Sequence, residues 1–244
     1  MQIVIDCCAL IARLGFTPWL APFKANGKPQ HVLGLLGAFE RTARVNAAML
    51  ASLAKTGVEL IGVDPSMTLA YRAEYVKALG KDNVPPVLLL QEWLARHLDE
   101  LPELAVDDSD PDQWQLLPHC TERTNAPGSL SDWQRVGRRL GVDLRVAPSG
   151  CCGMAGLYGH EKANRAGSEA IYRLSWAKYI RDARSAARIV ATGYSCRSQA
   201  AIVDGVLLMH PLQVLLARLE RDAQSVSAAG RQSRSRRDEH HEEY

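Results

Sequence analysis

Four cysteines constrain this chain more than any other feature. They follow the pattern C-x30-CCG-x42-C, as Cys120, Cys151-Cys152-Gly153 and Cys196. Each comes shortly after a β-prone segment: residues 113–117, 142–147 and 188–192. In a parallel α/β fold the loops after the strands gather at one edge of the sheet. The spacing therefore predicts that all four thiols meet at a single site. Four thiolates are a ligand set for an iron–sulfur cluster or for an all-cysteine zinc ion. Adjacent cysteines favour a cluster, because they can reach different metal atoms without strain. Gly150 and Gly153 flank the pair and let the backbone approach closely. A metal-free use also stays open, in which Cys151 and Cys152 or Cys196 cycle between thiol and disulfide. Four unconnected buried thiols are the plain alternative, and their recurrence in loops after strands argues against it. Cys7 and Cys8 differ. They lie inside a predicted helix, 5–14, with no loop and no glycine, and read as core or helix-face residues.

Several polar residues flank the thiols. His119 and Glu122 bracket Cys120, His160 follows the CCG loop, and Arg197 and Tyr194 neighbour Cys196. They are candidates for an outer layer of hydrogen bonds around a bound metal, or for structural neighbours. No GxGxxG, P-loop or HExxH motif is present, so the sequence offers no nucleotide or zinc-protease site.

Composition narrows the class further. The chain has 244 residues, 47% of them apolar, enough for a core of one or two domains. A formal net charge of +2 gives no argument for nucleic acid or an anionic membrane. No apolar run reaches the ~20 residues of a membrane span. The first residues carry no basic leader, which points to a reducing cytoplasm, where cysteines serve metal or redox chemistry. From residue 225 the sequence is charged and almost free of apolar side chains, as expected for a disordered tail, 225–244. His240 and His241 belong to it.

The chain also resembles itself. Leu20-Ala21-Pro22 followed by Gly27 parallels Val146-Ala147-Pro148 followed by Gly153, with Ala25 and Asn26 at the places of Cys151 and Cys152. A second match sets residues 59–67 against 188–196, with Met67 opposite Cys196. The expected architecture is α/β: two pseudo-repeated Rossmann-like half-units with parallel sheets, 1–104 and 105–224, only the second keeping ligand cysteines. In the first, a strand is expected over 17–22, a long helix over 30–55, a strand over 58–63, and helices over 68–79 and 87–98. In the second, helices are expected over 131–140 (capped by Ser131), over 164–187, and from Pro211 to about 221. The first unit begins inside a helix, without the opening strand and loop of the second. The expectation is a piece of a longer protein or a late start.

At this point the motifs are recognisable. Gly150-Cys151-Cys152-Gly153-Met154-Ala155-Gly156, with Leu117-Pro118-His119-Cys120-Thr121 and Thr192-Gly193-Tyr194-Ser195-Cys196-Arg197, resembles the cysteine-rich CCG domain. That domain occurs in the B subunit of heterodisulfide reductase, in glycolate oxidase iron–sulfur subunits and in the C subunit of anaerobic glycerol-3-phosphate dehydrogenase. Pro22-Phe23-x-x-Asn26-Gly27-Lys28-x-Gln30-His31, Gly62-Val63-Asp64-Pro65 and Tyr71-Arg72-x-Glu74-Tyr75 resemble, more narrowly, the C-terminal region of FAD- and Fe–S-containing D-2-hydroxyglutarate dehydrogenases. The resemblance spans residues 3–219. It implies an iron–sulfur cluster on Cys120, Cys151, Cys152 and Cys196, and an electron-transfer or accessory role without activity of its own. It also implies upstream FAD and ferredoxin-like modules or another subunit as partners, in a possible oligomer. The chain departs from the CCG pattern twice. Its first repeat lacks ligand cysteines, and Gly193 stands where many members begin a terminal C-x2-C, which leaves the cluster type open.

Overall fold

A computed structural model describes residues 2–106, 113–182 and 188–239, with side chains omitted at 182 and 226–239. The chain begins with helix α1, Gln2–Arg13. Its apolar positions recur at helical spacing: Cys7, Leu10, Ile11 and then Leu14 are buried. They pack on Leu212, Leu215 and Leu219 at the start of the last helix, α12, Pro211–Glu239. Gln213 Nε2 donates to Asp6 Oδ2 at 2.7 Å across the same contact. The first and last described helices thus close on one another.

After α1 come α2, Lys28–Val32, and α3, Leu36–Ala54. The sequence predicts one helix here. Gly34, with φ +74°, breaks it in two, a conformation that glycine adopts without steric cost. The strand expected over 17–22 does not form. Trp19 and Leu20 are 83% and 70% exposed, so this stretch has no face to bury and no paired neighbour.

Strand β1, Ile61–Gly62, pairs in parallel with β2, Leu88–Leu89. Between them lie α4, Pro65–Arg72, and α5, Glu74–Leu79. Asp64 caps α4 by accepting from the Ser66 and Met67 N–H groups, with Pro65 in the first turn. The helix expected over 87–98 is instead β2 followed by α6, Leu90–Arg96. Glu92 decides the boundary: its carboxylate accepts from Leu89 N–H at 2.9 Å and pairs with Arg72.

The second sheet has three parallel strands: β3, Gln113–Leu117; β4, Asp143–Val146; and β5, Arg188–Ala191. Their order is β4-β3-β5, with β3 in the middle. Its helices are α7, Cys120–Asn125; α8, Gly128–Arg139; α9, Arg165–Ser175; α10, Ala177–Asp182; and α11, Tyr194–Asp204. Ser131 is not the cap of α8. The helix starts after Pro127, and the Ser131 hydroxyl donates back to Gly128 O at 2.6 Å. The helix expected over 164–187 divides at Trp176 into α9 and α10, and its end, 183–187, lies outside the described residues. Helix α12 continues to Glu239 through most of the stretch whose composition suggests a disordered tail; Ala, Gln, Arg and Glu are good helix formers. Residues 240–244, with His240 and His241, are outside the described set.

The protein is thus an α/β fold with small parallel sheets. Its two halves share one core. Leu88, Leu90, Trp93 and Leu94 from the first pack with Leu116, Trp133, Val136 and Leu144 from the second. A separate cluster lies beneath the cysteine loops: Leu117, Ala147, Met154, Tyr172, Trp176 and Ile189, with Cys152 and Cys196. Among the described residues, no helix is long and apolar enough to cross a membrane.

Candidate metal–thiol site

The order β4-β3-β5 places a switch point at β3. The chain leaves β3 for β4 on one side and then crosses to β5 on the other. Loops beyond the carboxyl ends of such strands diverge and leave a crevice. Cys120 opens α7 just after β3, Cys151 and Cys152 follow β4, and Cys196 lies in the first turn of α11 after β5. The four thiols form a cluster, in which Cys120 also interacts with Cys196. Cys151 interacts with Cys120 on one side and with Cys152 on the other, and Cys152 with Cys196. All are free thiols; Cys152 and Cys196 are buried, Cys120 and Cys151 half-buried. Hydrogen bonding from Cys120, then from Cys152, and the Gly153 N–H at 3.3 Å bring Cys151 down to about 2. The same contact with Cys151 pushes both Cys120 and Cys152 upward, with burial adding to it. Among the described residues, no three His, Cys, Asp or Glu side chains are drawn around a single metal ion.

Each loop is tied to its neighbours. Gly153 has φ +88°, and a Cβ there would stand 2.1 Å from the Ser168 carbonyl oxygen, so only glycine lets this loop lie against α9. Ser168 Oγ donates to Gly153 O at 2.8 Å and accepts from Gln199 Nε2 of α11 at 2.9 Å. Trp176 Nε1 donates to Gly150 O at 3.0 Å. Arg123 of α7 donates to Ala147 O at 2.6 Å, which holds the end of β4 against the Cys120 loop.

Glu122 is the hub of the other side. It is fully buried, and burial pushes its carboxyl up to about 7. Oε1 accepts from Gln91 Nε2 at 2.6 Å and from Trp133 Nε1 at 3.3 Å, and Oε2 from Thr192 Oγ1 at 2.6 Å. Thr192 Oγ1 accepts in turn from the His119 N–H at 2.9 Å. One carboxyl thus joins α6 of the first half to the loops that carry Cys120 and Cys196. His119 is buried and caps α7, its Nδ1 accepting from Thr121 N–H at 3.1 Å; burial lowers its pKa. Arg197 donates to Ala191 O and Thr192 O, both at 2.9 Å, and burial lowers its pKa as well. His160 sits on an exposed turn with no described contact to the thiols. Tyr194 is 68% exposed. Cys7 lies in the α1–α12 core, where burial pushes its thiol up to about 12, and Cys8 is half-buried on the same helix.

One site residue escapes the motif reading. Asp64, from the first half, accepts from the Tyr194 N–H at 2.9 Å and so supports the N-terminus of α11 next to Cys196. The Asp64-Pro65 pair marks a helix start in the sequence, but its second partner lies 130 residues away.

A parallel α/β domain that gathers four cysteines beyond its strands is a thiol-rich α/β domain. Comparison with known proteins narrows this. The chain is 48% identical over 213 residues to the D-2-hydroxyglutarate dehydrogenase of Pseudomonas putida, a match over 87% of the chain and 20% of that protein. It is 45% identical over 217 residues to the enzyme of that name from Escherichia coli, covering 88% of the chain and 21% of the relative. With the C subunit of anaerobic glycerol-3-phosphate dehydrogenase from Escherichia coli it shares 30% identity over 165 residues, 65% of the chain and 40% of that relative. No family model matches. The chain is thus homologous to one part of the D-2-hydroxyglutarate dehydrogenases and spans about a fifth of the length of the relatives it matches.

Proposed function

We propose that this chain is an accessory electron-transfer domain of a flavin-dependent 2-hydroxyacid dehydrogenase. In this reading an iron–sulfur cluster sits on Cys120, Cys151, Cys152 and Cys196. The observation that carries it is the cluster of four mutually interacting thiols brought together from the ends of β3, β4 and β5. The donor set fits such a group. Thiolates from separate loops can bind different irons, and the Gly153 N–H already bonds to a ligand sulfur. The cluster supplies one-electron transfer. The protein supplies the ligands and holds them through Glu122, Ser168 and Arg123. Arg197 adds a half-buried positive charge beside Cys196, which offsets thiolate charge.

The relatives' names support a dehydrogenase setting. In this reading FAD and ferredoxin-like modules are its partners, in a longer cytoplasmic polypeptide. Hydride removal from a hydroxy acid needs a cofactor to accept it, and that step belongs to those modules. The test is anaerobic purification followed by iron, sulfide and zinc analysis with a visible spectrum. A brown protein with stoichiometric iron and sulfide is expected. A colourless protein with one zinc, or a metal-free protein whose thiols titrate reversibly in pairs, overturns the reading.

A further inference from the structure

Gly193 precedes α11 and has an imidazole where a side chain would go. A Cβ at this position would stand 2.4 Å from His119 Cδ2 and 2.9 Å from Cys196 Sγ. One point in space therefore borders both the ring and the thiol. The far edge of the ring is already engaged, because Nδ1 accepts from Thr121 N–H at 3.1 Å. A ring nitrogen that accepts carries no hydrogen, so the neutral imidazole has its hydrogen on Nε2. Nε2 is bonded to Cδ2, the atom that faces Gly193 and Cys196. The backbone of His119 is fixed too, through its N–H to Thr192 Oγ1 at 2.9 Å. The side chain is only 7% exposed, so bulk water has little access to it.

We propose that His119 donates a hydrogen bond, through Nε2–H, to a sulfur at the Cys196 end of the site, using the space that Gly193 leaves open. This rests on the cluster reading given above and adds to it a residue that tunes the site without holding metal. Ligation through Nε2 would leave both ring nitrogens without hydrogen while Nδ1 accepts from Thr121, which a neutral imidazole does not allow. A donor to a cluster sulfur withdraws electron density and raises the reduction potential. His119 is in this sense a positioning and tuning residue.

The test uses the whole chain, reconstituted anaerobically with ferrous iron and sulfide. Bound iron and sulfide and the midpoint potential are measured on each variant. His119→Asn keeps an acceptor for Thr121 N–H, since Asn is a preferred helix cap, and removes the distal donor. His119→Gln offers an amide donor closer to the place of Nε2. Gly193→Ala pushes the imidazole away, and its methyl also crowds Cys196 Sγ at 2.9 Å, so it is read only beside the His119 variants. Full iron and sulfide are expected in all three. The potential should fall in His119→Asn and in Gly193→Ala, and recover in part in His119→Gln. An unchanged potential in His119→Asn overturns the proposal. So does loss of iron from that variant when circular dichroism shows it folded, since His119 would then be a ligand. If His119→Asn fails to fold, His119→Ser, another preferred helix cap without a distal donor, takes its place: a lower potential supports the proposal and an unchanged one refutes it. Wild-type protein that takes up no iron and sulfide overturns the cluster reading itself, and this inference with it, before any variant is made.

Discussion

In the second half of the molecule Cys152 and Cys196 interact across the gap between the CCG loop and the first turn of α11. In the first half Asn26 and Met67, at the matching sequence positions, make the corresponding contact, Nδ2 to Sδ at 3.3 Å. Gly27 and Gly153 both take positive φ, +76° and +88°. Asn46 of α3 reaches back to Ala25 O at 3.1 Å, much as Trp176, just after α9, reaches Gly150 O at 3.0 Å. The shared loop geometry therefore comes from a turn glycine and a returning helix, and it persists where the thiols are missing. The helix caps diverge. At the position of Gly193 the first half has Asp64, which caps its own helix with one oxygen and reaches Tyr194 N–H with the other. The half without loop cysteines thus supports the half that carries them.

The largest effect should separate the two halves by metal content. Cys152→Ser and Cys196→Ser are expected to lose bound iron and sulfide, whereas Asn26→Ala and Met67→Ala keep both. Equal loss in the two pairs would show that both halves bind metal.

A stability contrast follows at the turn glycines. In Gly153→Ala the new methyl meets backbone, the Ser168 carbonyl at 2.1 Å, and the left-handed φ adds strain. A loss of roughly 3 kcal/mol or more is expected. Gly27→Ala meets side chains at 3.0 Å to 3.2 Å, which can shift. Its cost should be about 1–2 kcal/mol. Thermal unfolding reads both, at roughly 2–4 °C per kcal/mol for a chain of this size. Equal shifts would mean that α9 yields as easily as the side chains around Gly27.

Two histidines should give opposite pH dependences. His210 is fully buried, caps α12 through Nδ1, and its Nε2 has no partner. Burial holds its pKa well below the usual histidine value. The unfolded chain therefore takes up a proton that the folded chain refuses, and stability falls as pH drops below about 6.5. Denaturant unfolding of His210→Asn should show a shallower acid loss, with Asn keeping the cap. An unchanged slope would assign the loss to other groups.

The smallest effect belongs to His97 of the first half. Although burial lowers its pKa, hydrogen bonds to Glu100 and then Glu59 raise it more, and the net direction is upward. Its contribution is complete below the unfolded value and fades as pH rises through the folded one. His97→Gln should remove that fading near neutral pH and leave the acid limb alone. A change confined to acid pH would contradict it.

Much of this was legible in the chain itself. The cysteine spacing, the alternation of strands and helices in the second half, and the self-resemblance of residues 20–27 and 146–153 are local patterns. Local patterns survive in sequence because turn glycines, helix periodicity and strand length act over a few residues. The strand expected at 17–22 failed because its β-prone side chains found no neighbour to pair with, which no local pattern reports. The break at Gly34 and the start of α8 after Pro127 each turned on the conformation of a single residue. Tertiary structure alone placed Gln91 against Glu122, Asp64 against Tyr194 and Gly193 against His119, across separations of 31, 130 and 74 residues. Contacts at such distances depend on how the sheets and the shared core bring the loops together. The identities of the thiols were therefore written in the sequence, while the groups that hold and tune them were decided by packing.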